Sequence, residues 1–485
     1  MKIQKHRLLS ALRQSIDELA AVADPLRAKE HHLAAHSILA ELARGDRLHD
    51  LRDKYESGRS LGSRLAAAIG QGGLSPVSNL PPRICHSCDQ AATLALLDRL
   101  QRTLESLVAA SGYPVGGGSE IDSVVLTLMH WEAGLYEVPP APVPITSKQL
   151  DIEAMLERSV RNQGGVLANA RLVHCAPLFG GFGNSTVFFE AEDADMCRWP
   201  LVCRLQTDDA PLGLRGDIVG EFHLLCFLYR KGITVAQPLW LANKRSREES
   251  PFSVVRWLAG SQFEHWADLQ SLNSAQIQSL ASELARIHGV LIEASDSDLQ
   301  SSLIDPSDCE GPIVVAARKH LDRWDDLWRS VAVAPSSIIE AMLQWLRVNA
   351  PQSNDEPVLV HGDYSPHNIV FEGDKVAGVL DWSLSHIGSR AEDLAHLLSS
   401  LGSQVQADHF MREYVAAGGR AVTPFQLKYY EVIGYFKRMV VTQESRFRFD
   451  TLCHVGPEYF ALGPQFIQAP VSNIEAAMRA AEAAL

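Results

Sequence analysis

The apolar positions in the first part of the chain recur at helical spacing. Two runs show the pattern: Leu8, Leu12, Ile16 and Leu19, and then Leu97, Leu100, Leu104 and Leu107. A repeat of three to four residues places these side chains on one face of a helix. Residues 1–138 are therefore predicted to form a mainly α-helical N-terminal domain. Because its sequence contains no recognisable catalytic motif, we expect it to serve as an interaction or oligomerisation module.

A proline-rich segment follows the helical region. Residues 137–147 have the sequence EVPPAPVPITS. Prolines at this density prevent a helix and stiffen the chain in an extended conformation. The segment predicts a linker over residues 139–147 and a domain boundary at that point.

Beyond the linker, short apolar strands come first and long helices come later. The predicted strands are TVFFE from Thr186, LVCRL from Leu201 and FSVVRW from Phe252, with an amphipathic helix between the last two. Helical stretches then dominate, except for a compact block from Val358 to Asp381. This order predicts an α+β, protein-kinase-like two-lobe fold, with a strand-rich N-lobe over residues 148–260 and a helical C-lobe over residues 261–485.

Composition narrows the classes of protein. The chain has 485 residues, of which 46% are hydrophobic and 21% charged, and its formal net charge is −14. An excess of acidic residues does not favour the positively charged surface that neutralises phosphodiesters, so we expect no nucleic-acid partner. We also expect a cytoplasmic protein without a membrane partner, since neither an export signal nor an apolar stretch long enough to span a bilayer is visible.

The cysteines do not indicate a disulfide framework or a zinc site. Eight cysteines occur at irregular spacing in a long chain, which is typical of reduced thiols. Only Cys85 and Cys88 form a CxxC pair, and a zinc site of that kind requires a second pair of ligands nearby. We therefore predict no metal or redox role for them.

Candidate chemistry is concentrated in the block that begins at Val358. A short apolar strand leads into a polar loop with Asp363 and Asn368, and a hairpin turning at Gly373 and Asp374 leads back to Asp381. Phosphoryl transfer needs a carboxylate to accept the proton of the attacking hydroxyl, and oxygen ligands to hold magnesium ions against the phosphates. Asp363 fits the catalytic base, and Asn368 and Asp381 fit the metal ligands. The spacing between the first two also matches the catalytic loop of protein kinases.

These residues belong to a longer signature. His361-Gly362-Asp363 with Asn368 is followed by Asp381-Trp382, Gly388 and Asp393-Leu394-Ala395. The combination resembles the aminoglycoside phosphotransferase family, and most of all its branch associated with acyl-CoA dehydrogenases. The resemblance extends from about Cys175 to Phe436. It implies a kinase-like phosphotransferase that uses ATP and Mg²⁺.

The resemblance also implies a nucleotide site in the N-lobe. A short phosphate loop is expected in FGGFGNST, through Gly180, Gly181, Asn184 and Ser185. Arg204 stands where kinases generally have lysine, and we expect it to bind the α and β phosphates and to pair with Glu221 on the following helix. Adenine is expected to contact the backbone of the segment that contains Arg256 and Trp257.

The remaining polar residues of the block are assigned supporting roles. His361 is expected to brace the catalytic loop, and Asp393 to anchor the loop around Gly388. We expect the three other histidines near the block to be packing or surface residues: His367, His386 and His396.

The sequence thus predicts a small-molecule kinase with an alcohol group as acceptor. The acceptor stays open among an aminoglycoside or other antibiotic, a hydroxyacyl thioester and a small metabolite such as an amino alcohol, and the related branch favours a metabolite. The preference between ATP and GTP and the oligomeric state also stay open, with a homo-oligomer or another partner to be expected through the N-terminal helices. The alternative is a catalytically silent, kinase-like module that binds nucleotide.

Overall fold

A computed structural model defines the conformation of much of the chain after residue 151 and of short segments before it. The residues described are 56–57, 59–65, 99–100, 102–104, 107–108, 124–125, 152–164, 167, 169–178, 184–206, 217–242, 250–263, 272–293, 296, 299, 301–309, 311–331, 336–352, 355–401, 403–451 and 471–484. Those before residue 126 are all helical, as predicted for that region. The predicted linker at 139–147 lies outside the described residues.

The chain divides into two compact units. One comprises Met1–Thr146, Leu321–Ala350 and Val432–Leu485, and the other comprises Ser147–His320 and Pro351–Glu431. The second unit contains the strands and every described residue of the candidate site. The predicted domain limits remain predictions.

The first lobe of the second unit is built on a five-stranded sheet with the order β1-β2-β3-β5-β4. Its elements are α1 (Ile152–Arg161), β1 (Arg171–Leu178), β2 (Ser185–Glu192), β3 (Arg198–Leu205), α2 (Ile218–Arg230), β4 (Pro238–Ala242) and β5 (Phe252–Arg256). All neighbouring strands are antiparallel. Val187, Phe189 and Ala191 alternate along β2 and pack with Leu156 and Val160 of α1 in one apolar core, as the period of two residues dictates.

The strand prediction was correct for β2, β3 and β5 but omitted two strands. The sequence RLVHCAPL of β1 and the short PLWLA of β4 show no clear alternation. Both lie at the edges of the sheet, where a strand has a neighbouring strand on one side only. An edge strand therefore needs a strict alternation of apolar residues less than a central strand does. Their pairing is fixed by tertiary contacts that a local pattern does not report.

Helix α2 lies across this sheet and supplies a buried carboxylate. Asp217 caps its N-terminus by accepting a hydrogen bond from the backbone of Val219 over 3.0 Å. Ile218 and Phe222 are buried, and Glu221 is only 2% exposed. Tyr229 near the end of the helix is 45% exposed. The last turn of the helix runs past the core, and the ring borders a cavity of about 360 Å³.

The second lobe is mainly helical, with a strand and loop cluster inside it. The elements that follow in the chain belong partly to this lobe and partly to the first unit. They are α3 (Ser274–His288), α4 (Ile313–Val331), α5 (Ser337–Val348), β6 (Val358–Val360), β7 (Ile369–Glu372), β8 (Lys375–Val379), β9 (His386–Gly388), α6 (Arg390–Ser400), α7 (Gln404–Ala416), α8 (Pro424–Thr451) and α9 (Val471–Glu482). β6 pairs with β9, and β7 with β8. The β7–β8 hairpin turns at Gly373, whose φ of +61° favours glycine, as predicted.

Backbone contacts join the two lobes within this unit. Ser261, in the segment that leads out of the first lobe after β5, exchanges two hydrogen bonds with Phe371 of β7, at 2.9 and 2.8 Å. Thr234, which precedes β4, accepts a hydrogen bond from the backbone of Val379 over 2.8 Å. The hairpin that carries the predicted metal ligands at its two ends is therefore held against the first lobe. Among the described residues, no helix is long and apolar enough to cross a membrane.

Candidate active site

The loop after β6 places Asp363 and Asn368 in direct contact. The side-chain amide of Asn368 donates to the backbone oxygen of Asp363 over 3.0 Å and to its Oδ2 over 2.9 Å. Both amide hydrogens are thereby used toward Asp363, which leaves Oδ1 of Asn368 as the acceptor of the side chain. The sequence predicted this pair as catalytic base and metal ligand, and the structure brings them together.

Backbone hydrogen bonds to Asp393 fix the start of this loop. Its two carboxylate oxygens accept from the backbone N–H groups of His361 and Gly362, each over 2.8 Å. His288 of α3 lies 3.1 Å from the same carboxylate. The sequence predicted an anchor for the loop around Gly388, and this was wrong: Asp393 anchors the catalytic loop itself, because α6 lies against β6.

Gly362 has a conformation that only glycine can adopt at this place. Its φ is +85°, and an added Cβ would lie 2.5 Å from the backbone oxygen of Leu384. Any side chain would therefore clash with the backbone as well as strain it. The glycine of the motif is required by the close approach of two loops.

His361 braces the loop, as predicted. Its Nε2 donates to the backbone oxygen of Leu380 over 2.9 Å, and its Nδ1 accepts from the backbone of Asp363 over 3.2 Å. This pattern requires the neutral tautomer, and burial lowers the pKa of His361 in agreement with it. The ring thus connects the base to the strand end that precedes Asp381 and remains uncharged.

Two histidines that the sequence assigned to packing or the surface lie beside the base. Nε2 of His396 lies 2.8 Å from Oδ1 of Asp363, and Nε2 of His367 lies 3.6 Å from Oδ2. Burial raises the pKa of Asp363, but the two imidazoles outweigh it and hold that pKa well below its usual range. Asp363 is therefore ionised at neutral pH. The missed signal was the helical spacing of Asp393 and His396, three residues apart on one face of α6.

An ion-paired chain links the first lobe to the second metal candidate. Nη1 of Arg204 in β3 donates to Oε1 of Glu221 in α2, which confirms the predicted pair. Nη2 of the same guanidinium donates to Oδ1 of Asp381 over 3.2 Å. Burial raises the pKa of Asp381, but the charge of Arg204 and the hydrogen bonds of Ser383 and Arg204 together lower that pKa. The side chain of Asp381 is 43% exposed, so its carboxylate faces the cleft.

Burial has the largest effect on the pKa of Glu221. Its side chain lies in the interior, and this raises its pKa to about 7 although Arg204 acts in the opposite direction. Oε1 also accepts from the backbone of Trp382 over 3.3 Å. Among the described residues, Oε2 of Glu221 and Nε of Arg204 have no hydrogen-bond partner. Nε of Arg204 is thus a buried donor without an acceptor, next to the carboxylate of Asp381.

Asp381 itself has a left-handed backbone. Its φ is +57°, a region in which non-glycine residues are uncommon and Asp and Asn are enriched. This turn directs the carboxylate out of the strand end after β8 and toward Arg204. The site therefore depends on a residue that tolerates this conformation.

The phosphate loop and the segment between the lobes are defined only in part. Gly180 and Gly181 lie outside the described residues, whereas Asn184 immediately precedes β2 and Ser185 begins it. The backbone N–H groups of Arg256 and Trp257 already donate to Gln237 and Pro200, over 2.9 and 3.0 Å. An adenine contact here would have to use carbonyl oxygens or the residues that follow. The guanidinium of Arg256 lies over the ring of Trp199 at 4.9 Å.

The two-lobe fold and this arrangement of residues define a kinase-like phosphotransferase. A family model described as "Phosphotransferase enzyme family" matches residues 174–430, more than half of the chain. The chain therefore belongs to the phosphotransferase enzyme family.

Curated relatives confirm the predicted branch. The chain is 31% identical to mouse "Acyl-CoA dehydrogenase family member 11" over 182 residues, which is 36% of this chain and 22% of that protein. It is 26% identical to mouse "Acyl-CoA dehydrogenase family member 10" over 222 residues, 44% of this chain and 19% of that protein. The chain thus matches about a fifth of the length of these relatives.

Two solved structures are also similar to this chain. A putative aminoglycoside phosphotransferase from Ralstonia eutropha is 18% identical with a TM-score of 0.49, and the match covers 69% of this chain and 98% of that chain. Aminoglycoside phosphotransferase APH(4)-Ia, solved as a mutant with AMP-PNP and hygromycin B, is 17% identical with a TM-score of 0.43, covering 67% and 98%.

Proposed function

We propose that this chain transfers the γ-phosphate of ATP to a hydroxyl group of a small molecule in a Mg²⁺-dependent reaction. The observation that carries the proposal is the convergence of two groups of contacts: Asp363 with Asn368, and Arg204 with Asp381. Phosphoryl transfer requires a positioned base and charges that stabilise the phosphates. A family phosphotransferase with these two pairs of side chains has the groups that both tasks require.

The side chains fit a hard divalent cation. Mg²⁺ prefers oxygen ligands from one or two protein groups together with phosphate oxygens. Asn368 offers Oδ1, and Asp381 offers a partly exposed, ionised carboxylate, so these two residues would hold the ion. When bound, it would neutralise phosphate charge. Nε of Arg204 is a donor suited to a phosphate oxygen in the same cleft.

Asp363 is the proposed base. Its carboxylate is held by Asn368 on one oxygen and by His396 beside the other, so its direction is fixed before substrate binds. The low pKa means that it accepts a proton only as the hydroxyl becomes acidic during attack. It therefore orients the nucleophile in the ground state and takes up the proton as the new bond forms.

A small metabolite is the proposed class of acceptor, in preference to an antibiotic. The support is the match to acyl-CoA dehydrogenase family members, whose names place them in acyl metabolism. A hydroxyacyl thioester, a compound with a free hydroxyl on an acyl chain, is the first acceptor to test.

The test is a transfer assay with purified protein. Hydroxyacyl thioesters, amino alcohols and aminoglycosides are supplied with Mg²⁺ and ATP or GTP, and ³¹P NMR identifies a phosphomonoester product. We expect product with at least one hydroxylated metabolite and none with the D363N variant. Tight Mg²⁺-nucleotide binding without product from any class would instead support the catalytically silent module.

A further inference from the structure

A second cluster of polar side chains lies in the same unit, outside the proposed phosphoryl-transfer site. It consists of His320 in α4, His386 in β9 and Glu392 in α6, all between 5% and 8% exposed. One potential ligand atom from each lies within 4.8 Å of the other two. Two imidazoles and one carboxylate are a donor set that transition metals favour.

We propose that His320, His386 and Glu392 bind a divalent transition metal ion, with Zn²⁺ as the expected ion. Tetrahedral zinc with bonds of about 2.0–2.1 Å separates its ligand atoms by roughly 3.3 Å. Nε2 of His386 lies 3.1 Å from Oε2 of Glu392, and Nε2 of His320 lies 3.5 Å from Oε1. Each imidazole nitrogen thus lies close to that distance from one of the two carboxylate oxygens of Glu392.

The hydrogen bonds of His386 argue for a cation at its second nitrogen. Nδ1 lies 3.0 Å from the backbone oxygen of Leu384, which can only accept, so Nδ1 carries the hydrogen. In the neutral tautomer Nε2 then presents a lone pair to the lone pairs of Glu392. Two acceptors at 3.1 Å require a cation between them, either a proton or a metal ion. A backbone carbonyl on the far nitrogen is the arrangement typical of metal-binding histidines.

Glycine at position 388 preserves room beside that nitrogen. An added Cβ there would lie 3.0 Å from Nε2 and 3.0 Å from Cδ2 of His386. A larger residue would press on the edge of the ring that faces Glu392. Space and donor atoms are thus present at the same point.

The stacking of the two imidazoles adds a structural requirement for metal binding. The rings of His320 and His386 are nearly parallel, with an angle of 10° between their planes and 3.7 Å between their centroids. A nitrogen lone pair lies in the plane of its ring, so one ion cannot lie in both planes while they are parallel. Metal binding must therefore turn one ring about its side-chain bonds, and the metal-bound protein should show the two rings at an angle.

The chemistry of this site separates it from the proposed Mg²⁺ site. Imidazole nitrogen suits Zn²⁺, Co²⁺ or Ni²⁺, whereas Mg²⁺ prefers oxygen alone. Its location suggests a role in holding the active site, since α6 also carries Asp393 and His396. An ion tied to β9, α4 and α6 would fix the helix that anchors the catalytic loop.

Metal titration of the full chain, without nucleotide, tests the proposal. Chelator-treated protein is titrated with Zn²⁺ against an indicator, and with Co²⁺ for its visible spectrum. We expect one ion per chain, at least 10-fold weaker affinity in H386Q and in E392Q, and no thiolate-to-cobalt charge-transfer band. Circular dichroism verifies folding, and because two variants at different positions are used, the failure of one to fold does not prevent the test.

Two control variants identify other sources of binding. H409Q removes a half-buried histidine that lies 3.6 Å from Glu413, and C85S with C88S removes the CxxC pair. Both should bind the ion as the parent does. The proposal is wrong if H386Q and E392Q bind as tightly as the parent, or if the cysteine variant alone loses binding. It is also wrong if the parent binds no stoichiometric ion. None of these results depends on phosphoryl transfer.

Discussion

Nη2 of Arg204 donates a hydrogen bond to Oδ1 of Asp381 over 3.2 Å, although the two residues are 177 positions apart in the chain. Through this contact and the bond to Glu221, one guanidinium joins β3, α2 and the turn that follows β8. The first lobe and the proposed metal ligand of the second lobe are therefore set by the same side chain.

Substitution of Arg204 should affect both nucleotide use and stability. In R204M the buried carboxylate of Glu221 loses its cation, and breaking a buried pair in this way typically costs about 3–5 kcal/mol. We expect less than this at acidic pH, where Glu221 can take up a proton. R204K should restore part of the stability and of the KM for ATP, because either cation can meet a phosphate. Denaturant unfolding and steady-state kinetics provide the two measurements, and an unchanged KM in R204M would contradict the assignment.

Glu221 should make the stability fall as pH rises across the neutral range. Burial raises its pKa from 4.5 to about 7, so between these values the folded protein retains a proton that the unfolded chain has released. The free energy of unfolding must then decrease with increasing pH over that window. E221Q, which cannot titrate, should flatten this part of the curve. Denaturation at a series of pH values decides it, and an equal slope in parent and variant would show that Glu221 is ionised throughout.

D363N should abolish transfer and spare nucleotide binding. Loss of a general base lowers kcat by roughly 10²–10⁴, whereas nucleotide affinity should stay within a few-fold because Asp363 is not a proposed phosphate or metal ligand. Single-turnover kinetics and calorimetry separate the two effects. Equal loss of affinity and rate would place Asp363 in nucleotide binding instead.

H396Q should move the acidic limb of the pH profile. His396 and His367 together lower the pKa of Asp363 against the effect of burial, so removing one imidazole must raise that pKa. We expect kcat/KM to fall at a higher pH than in the parent, with activity near neutral pH largely retained. H409Q is the matched control, since it removes a histidine from α7 and should leave the profile unchanged. Superimposable profiles for H396Q and the parent would exclude a role for His396 at the base.

D381N is the appropriate probe of the metal ligand. Asparagine tolerates the left-handed backbone of Asp381, whereas alanine would add a strain of about 1–2 kcal/mol that has no connection with metal binding. We expect the enhancement of nucleotide affinity by Mg²⁺ to decrease at least 10-fold, as even the loss of outer partners costs about 10–100-fold at metal sites. Calorimetric titration with and without Mg²⁺ measures it, and an enhancement equal to that of the parent would remove Asp381 from the site.

The sequence was informative where chemistry is encoded in local spacing. Asp363, Asn368 and Asp381 lie within 20 residues on a strand, a loop and a hairpin, and such short-range order is visible in a single sequence. The pairing of Arg204 with Glu221 followed from the rule that a buried carboxylate needs a cation.

Contacts between distant segments were not predictable in the same way. His396 lies 33 positions after Asp363, and only the packing of α6 on β6 brings them together. The same packing aims Asp393 at the catalytic loop instead of the loop around Gly388. For β1 and β4 the missing information was the identity of the neighbouring strand, which no local periodicity contains.

The two hydrogen bonds to Asp393 have a consequence for hydrogen exchange. An amide exchanges with solvent deuterium only when its hydrogen bond opens. The amides of His361 and Gly362 both donate to one carboxylate that is fully buried, so a single opening of α6 from β6 must release both. The two amides should therefore exchange slowly and be protected to the same degree, and their protection should disappear together in D393N. The deuterium uptake of this residue pair, measured by mass, would thus report how often α6 detaches from β6.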